Sequence, residues 1–249
     1  MSVSRLYLTG LPGSAHELDP LPERPDDLLV LDRNGYRYFG AMAKDLGRYS
    51  GGRPVHLIGF SLGAHAALRL AAAAPEHVSA LTLVSPAGPL DLGRFLPDMA
   101  GATIFRLARW PLVFRAFASV QRMIAQRWPT FLAAQLIRTM DDADRVFFAD
   151  DTHRRTFERV LATGLDANFP AYRRELPTYV RPWSDRLARI SCPVTIWQGT
   201  ADRWAPPAMA EALHAALPPG ARLNRVKGAG HYTTLVRKSE EIFAVYAGM

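Results

Sequence analysis

The segment Gly59-Phe60-Ser61-Leu62-Gly63 sets a serine hydroxyl between two glycines, directly after the apolar run Val55 to Ile58 and before the alanine-rich stretch Ala64 to Ala74. A strand that turns sharply into a helix presents such a serine at the tip of the turn, as a nucleophile elbow. The glycines have a steric task, because a turn this tight leaves no room for a side chain two residues either side of the serine. Ser61 is expected in a strained backbone conformation, and the amide of Leu62, at the helix N-terminus, would point into the space its hydroxyl faces. A serine hydroxyl is a weak nucleophile until a base removes its proton, and the base needs a carboxylate to orient it.

Asp202 and His231 can fill those two roles. Asp202 lies in the loop Thr200 to Pro207 that follows the buried-strand pattern Val194 to Gly199, and His231 ends the loop Lys227-Gly228-Ala229-Gly230 after the short strand Leu223 to Val226. Taken singly, the aspartate would be a turn residue and the histidine a surface loop residue. Taken together with Ser61, each just past a strand and in the order Ser, Asp, His, they point to Ser61 as nucleophile, His231 as general base and then acid, and Asp202 as the group that fixes the imidazole tautomer. A second donor for a developing oxyanion is expected in Thr9-Gly10-Leu11-Pro12-Gly13-Ser14, after the first strand Arg5 to Leu8. There the Leu11 amide would pair with that of Leu62, each such donor being worth about 2.7 to 4 kcal/mol in a transition state.

The elbow, the Gly-Thr-Ala-Asp segment at 199–202, the Gly-Ala-Gly-His segment at 228–231 and the strand and turn Leu29 to Gly35 together resemble the α/β-hydrolase superfamily over the chain outside its middle third. The resemblance implies a mostly parallel sheet flanked by helices, with an inserted helical cap, and a serine hydrolase that needs neither cofactor nor metal. Haloalkane dehalogenase and epoxide hydrolase chemistry is disfavoured, since those relatives carry an aspartate at the elbow. The chain departs from the usual pattern at three places. Thr9-Gly10 stands where the oxyanion loop commonly begins with His-Gly, Ala64 stands where many members have another glycine, and the first strand lies almost at position 1, which leaves a sheet of about six strands.

The elements that must position these residues follow from periodicity. Strands are predicted near 5–8, 28–32, 54–59 and 79–85, with helices near 36–50 and 62–74 between them, an alternation that implies parallel strands and right-handed crossovers. From about 88 to 190 the strand pattern vanishes and apolar residues recur at three- and four-residue spacing, as in Phe114, Phe117, Val120, Met123 and Ile124. This reads as a helical cap inserted into a core made of 1–87 and 191–249. Beyond Cys192 two strands, a helix near 207–216 and a final helix near 234–247 complete the core.

With 249 residues and 49% hydrophobic content, the chain can build one large domain. No apolar run is long enough to span a membrane, and the first residues lack a secretory segment, so a soluble cytoplasmic protein is expected. Cys192, the single cysteine, precedes Pro193 and reads as a buried, unreactive thiol. His56, His65 and His153 read as structural or surface histidines. Between 89 and 190 there are 16 arginines, no lysines and 11 acids, so this segment carries 16 − 11 = +5 of the net +7. Such a surface is compatible with solvation alone, with an anionic substrate, or with an acidic carrier protein. Nucleic acid is disfavoured, since no recognition motif accompanies the charge.

The expected activity is cleavage of a carboxylic ester or thioester through an acyl-enzyme on a small-molecule acyl substrate. A carbon–carbon bond hydrolase or lyase acting on a carboxylated molecule, and a hydrolase scaffold kept for binding alone, are the alternatives. Substrate identity and oligomeric state stay open at this level.

Overall fold

The computed structural model describes residues 4–244. Six strands, β1 (Arg5–Leu8), β2 (Leu28–Val30), β3 (Val55–Phe60), β4 (Val78–Val84), β5 (Val194–Gly199) and β6 (Arg222–Val226), form one sheet in the order β2-β1-β3-β4-β5-β6. Every neighbouring pair is parallel. A parallel sheet is covered on both faces, so its central strands are apolar without alternation, and all six residues of β3 are buried.

The helices come in three sets along the chain. α1 (Phe39–Lys44), α2 (Leu46–Ser50) and α3 (Leu62–Ala73) belong to the crossovers before β4. Alanine makes up half of α3, which is buried on nearly its whole circumference; small side chains let it lie close to the sheet. Between β4 and β5 come α4 (Ala102–Ala108), α5 (Pro111–Arg127), α6 (Pro129–Ile137), α7 (Asp142–Phe147), α8 (Asp151–Gly164) and α9 (Phe169–Tyr179). After β5, α10 (Pro207–Ala216) leads to β6, and α11 (His231–Arg237) and α12 (Ser239–Phe243) follow it.

Three predicted elements differ. The helix expected over 36–50 is two helices, because the chain tightens to an i to i−3 bond at Asp45, whose amide donates to Met42 O at 3.1 Å. Strand β2 stops at Val30, and Leu31 and Asp32, predicted to extend it, lead through Arg33 into the turn at 34–35. The final helix begins three residues early, at His231, and is interrupted at Lys238 (φ −119°, ψ 19°) before resuming with Glu240 and Glu241 in its first turn. Carboxylates there favour the restart, since they face the positive end of the helix. Positions 245–247 of the predicted helix lie outside the described residues.

The histidines set aside in the sequence serve packing. His56 bonds Thr82 Oγ1 across β3 and β4 at 2.8 Å, and burial pulls its pKa down to about 4. His65 is fully buried among the rings of Phe39, Tyr179 and Trp183. His153, half-buried, stacks on Phe147 at 3.9 Å. Burial raises the Cys192 thiol to about 11, which keeps it protonated and unreactive at neutral pH.

Candidate active site

Ser61 sits between β3 and α3 at φ 54°, ψ −123°, one of two non-glycine residues with positive φ among the described residues. Such a conformation costs about 1–3 kcal/mol, which the neighbouring packing must overcome. The packing is visible at the flanking glycines. A Cβ on Gly59 would lie 2.6 Å from Ala64 Cα, and one on Gly63 would lie 2.0 Å from Leu8 O. Only glycine lets the strand, the turn and the oxyanion loop approach this closely. The Ser61 carbonyl is itself fixed, accepting from the amides of Ala64 at 3.0 Å and Ala87 at 3.1 Å.

Asp202 lies just beyond β5, fully out of solvent. Its Oδ1 accepts from the amides of Trp204 and Ala205 at 2.9 Å each, and its Oδ2 from His231 Nδ1 at 2.8 Å and Gln198 Nε2 at 3.3 Å. Four donors match the four lone pairs of a carboxylate. The glycines flanking these residues again mark close approaches. A Cβ on Gly199 would lie 2.4 Å from Ala229 O, and one on Gly230 would lie 2.1 Å from Asp141 Oδ2.

His231 is buried, and its Nε2 has no hydrogen-bond partner. Burial alone would lower its pKa, but the charge and hydrogen bond of Asp202, helped by Asp144 and Glu17, outweigh burial and raise it. Ser61, Leu62, Leu11 and His231 all line one cavity, whose walls also include Ile104, Phe105, Leu136, Leu161 and Leu176 from the helices between β4 and β5. No hydrogen bond joins Ser61 Oγ to His231 Nε2 in this geometry. Such bonds are often long in unliganded sites and tighten when substrate binds. Of the residues singled out in the sequence, four therefore share the cavity, and Asp202 stands behind His231.

Several residues around this site were not anticipated. Ser85, the other strained residue (φ 45°), donates its hydroxyl to His231 O at 3.0 Å, so the end of β4 holds the backbone of the histidine. Asp144 of α7, fully buried, accepts from the amides of Tyr232 and Thr233 at 2.9 Å each and from Thr233 Oγ1 at 2.8 Å. It caps the helix that starts at His231 from a segment 88 positions away, which explains why α11 begins where it does. Arg33, also buried, donates to Thr9 O at 3.0 Å and pairs with Glu175 of α9 at 3.5 Å, so one guanidinium joins the loop after β1 to the helices between β4 and β5.

Glu17 is the least expected of these. It is 2% exposed, lines the cavity, and accepts from the Gly10 amide and from Tyr7 OH, both at 3.1 Å to Oε2. Gly13 makes room for it, since a Cβ there would lie 2.0 Å from Glu17 Oε1. The Gly10 amide is thereby taken up within the protein. Burial raises the Glu17 pKa to about 8, against the opposing pull of those two hydrogen bonds and of Arg33 and His231. A glutamate unfolds to a value near 4.5, so the folded state holds a proton that the unfolded state has released. Stability should fall as pH rises from about 4.5 through about 8. In Glu17→Gln the fall in unfolding free energy across that window, read from urea denaturation, should shrink by an amount on the order of 5 kcal/mol. Identical pH slopes in the two proteins would contradict the protonated state assigned to this side chain.

Comparison with known proteins agrees with the architecture. A family model described as the alpha/beta hydrolase fold matches residues 5–237. The pimeloyl-[acyl-carrier protein] methyl ester esterase of Neisseria meningitidis serogroup B is 29% identical over 195 residues, 78% of this chain and 67% of that protein. Among solved structures, a thermophilic esterase from Thermogutta terrifontis superposes with a TM-score of 0.67 at 18% identity, over 96% of this chain and 86% of its own. The enol-lactonase of Burkholderia xenovorans LB400 gives 0.66 at 16% identity, over 97% and 89%. At such identities these two structures share the fold.

Proposed function

This chain belongs to the α/β hydrolase fold family, and from that membership and the geometry of the site we propose that it is a serine hydrolase of carboxylic esters or thioesters, with Ser61, His231 and Asp202 as its triad. The observation that carries the reading is the pair His231 Nδ1 to Asp202 Oδ2 at 2.8 Å, with Nε2 unpartnered and Ser61 on the same cavity wall. Asp202 fixes the tautomer whose Nε2 has a free lone pair. That nitrogen takes the proton as Ser61 Oγ bonds to the acyl carbon, and gives it to the alcohol or thiol as the bond to the leaving group breaks. Water then adds to the acyl carbon with its proton passing to Nε2, and the bond to Oγ breaks as that proton returns to Oγ, which releases the acid and restores the serine. The amides of Leu11 and Leu62 hold the oxyanion in both halves.

The helices of 88–190 act as the cap over this site, and their apolar contribution to the cavity suits a hydrocarbon acyl group. The relative from Neisseria, by its name, acts on a methyl ester carried on an acyl carrier protein, which supports an acyl ester as the substrate class here and keeps a carrier-linked ester within it.

A series of p-nitrophenyl esters of increasing acyl length tests the reading. Turnover with an optimum at an intermediate length is expected. Silence across the series, with turnover of diketone acids, would move the activity to carbon–carbon cleavage, and silence on both would leave a binding scaffold.

A further inference from the structure

Nine large apolar side chains are exposed among the described residues, and seven of them fall between Trp110 and Phe131. On α5 the exposed positions Leu112, Val113, Ala116, Val120 and Met123 recur at three- and four-residue spacing and form one stripe facing solvent. The opposite side of the same helix is buried through Phe114, Ala118, Gln121 and Ala125. A surface helix normally has one apolar stripe, turned to the core. A second stripe turned to water, contiguous and built of large residues, marks a surface that something else covers.

The charge of this segment identifies what covers it. Between positions 99 and 140 there are six arginines and neither an acidic residue nor a lysine. Arg115 follows one edge of the stripe and Arg127 lies at its end, while Arg122, one helical repeat beyond Arg115, is paired with Asp166 at 2.7 Å. Trp110 and Trp128 bracket α5, 69% and 58% exposed. Apolar residues flanked by arginine and bounded by tryptophan are the composition of a helix lying in a membrane–water interface, with rings at headgroup level and guanidinium groups on phosphate. A bilayer receives a convex stripe as it is, whereas a protein partner would have to supply a groove of matching shape. No helix among the described residues is long and apolar enough to cross a membrane, so the contact is with a surface.

We propose that the outer face of α5 with the start of α6 is a docking surface for an anionic lipid bilayer. The inner face of the same helices, through Gln121 and Leu136, lines the cavity that holds Ser61. The enzyme would thus meet apolar esters with its cap against the layer in which they dissolve. The docking itself does not depend on the catalytic reading and is measured equally well on a Ser61→Ala protein.

The test is sedimentation of the whole protein with vesicles of phosphatidylcholine alone or mixed with phosphatidylglycerol, read together with tryptophan emission. Binding to the mixed vesicles should exceed binding to the neutral ones by about tenfold or more, weaken with added salt, and shift the emission to the blue. Leu112→Glu combined with Met123→Glu should lower that binding by about tenfold or more, since two charges would enter the apolar side of the contact. Both positions are exposed and away from the cavity, so circular dichroism and turnover of a water-soluble ester should stay unchanged. Absence of binding to the mixed vesicles would overturn the proposal, as would equal binding by the double variant. A dimer that the two substitutions dissociate, or retention by an acidic carrier protein, each without vesicle binding, would assign the face to a protein and likewise overturn it.

Discussion

Replacing Ser61 by alanine should lower turnover of any ester that the wild-type protein accepts by about 10⁴- to 10⁶-fold, with circular dichroism and thermal midpoint unchanged. The size of the effect follows from what the side chain does. Without Oγ no acyl-enzyme forms, and the rest of the site can only bind the ester and polarise its carbonyl through Leu11 and Leu62. A loss of 10⁴ corresponds to about 5.5 kcal/mol of transition-state stabilisation, more than one oxyanion donor supplies. Stability should be insensitive, because the hydroxyl is not what holds the turn. The strained φ of 54° is imposed by the Ser61 carbonyl bonds to Ala64 and Ala87 and by the close approaches at Gly59 and Gly63, and alanine retains all of these. A loss of less than about tenfold would show that another group attacks the substrate.

Asp202→Asn should lower the rate by about 10⁴-fold, and it should also move the pH profile. An asparagine amide at this position would donate toward Nδ1 rather than accept from it, which favours the tautomer with its proton on Nε2 and removes the lone pair that takes the serine proton. The profile follows from the balance of forces on His231. Burial lowers its pKa, and the charge and hydrogen bond of Asp202 are the main effects that overcome burial and raise it. The base works when neutral, so wild-type activity rises with pH through this raised pKa. In the asparagine variant burial prevails, and the acidic limb should move to lower pH while the plateau drops. The same pair bears on stability. A histidine with a raised folded pKa stabilises the fold fully below its unfolded value of about 6.5 and loses that contribution as pH climbs through the folded value. The variant should therefore lose most stability on the acid side. Rate profiles with coincident acidic limbs would show that Asp202 does not set the proton affinity of the imidazole.

Residues whose roles are enforced locally were legible in the sequence. Gly59 is required by contacts within one strand, turn and helix, and Gly63 by the end of β1; the strands before Ser61 and Asp202 are announced by their own apolar runs, and the glycines around His231 mark the loop that carries it. The six-stranded parallel sheet followed from the same alternation. What escaped the sequence depends on distant partners. Asp144 lies in the acidic run Asp141, Asp142, Asp144, which looks like a solvated helix start; its burial is decided by Tyr232 and Thr233. Arg33 and Glu175 are ordinary charges until the fold sets them together. Glu17 sits in a Gly/Pro-rich loop, and nothing local shows that Tyr7 and the Gly10 amide close around it. The early start of the final helix has the same origin, since the carboxylate that caps α11 at His231 comes from α7.

These distant contacts bear on how the site is held. Asp144 fixes the backbone after His231, Ser85 fixes its carbonyl, and Arg33 fixes the carbonyl of Thr9 in the oxyanion loop. Two of these residues also tie the core to the helices between β4 and β5, Asp144 from α7 and Arg33 through its pair with Glu175 of α9. His231 and the loop after β1 are thus each held by buried polar groups, which favour one arrangement of the backbone around Ser61.

The central claim is that Ser61 forms the covalent intermediate, and peptide mapping after exposure to a fluorophosphonate tests it most directly. One adduct is expected, on the peptide that carries Ser61, and it should vanish in Ser61→Ala and be strongly slowed in His231→Ala. An adduct on any other residue, or full occupancy of the Ser61→Ala protein, would contradict the mechanism.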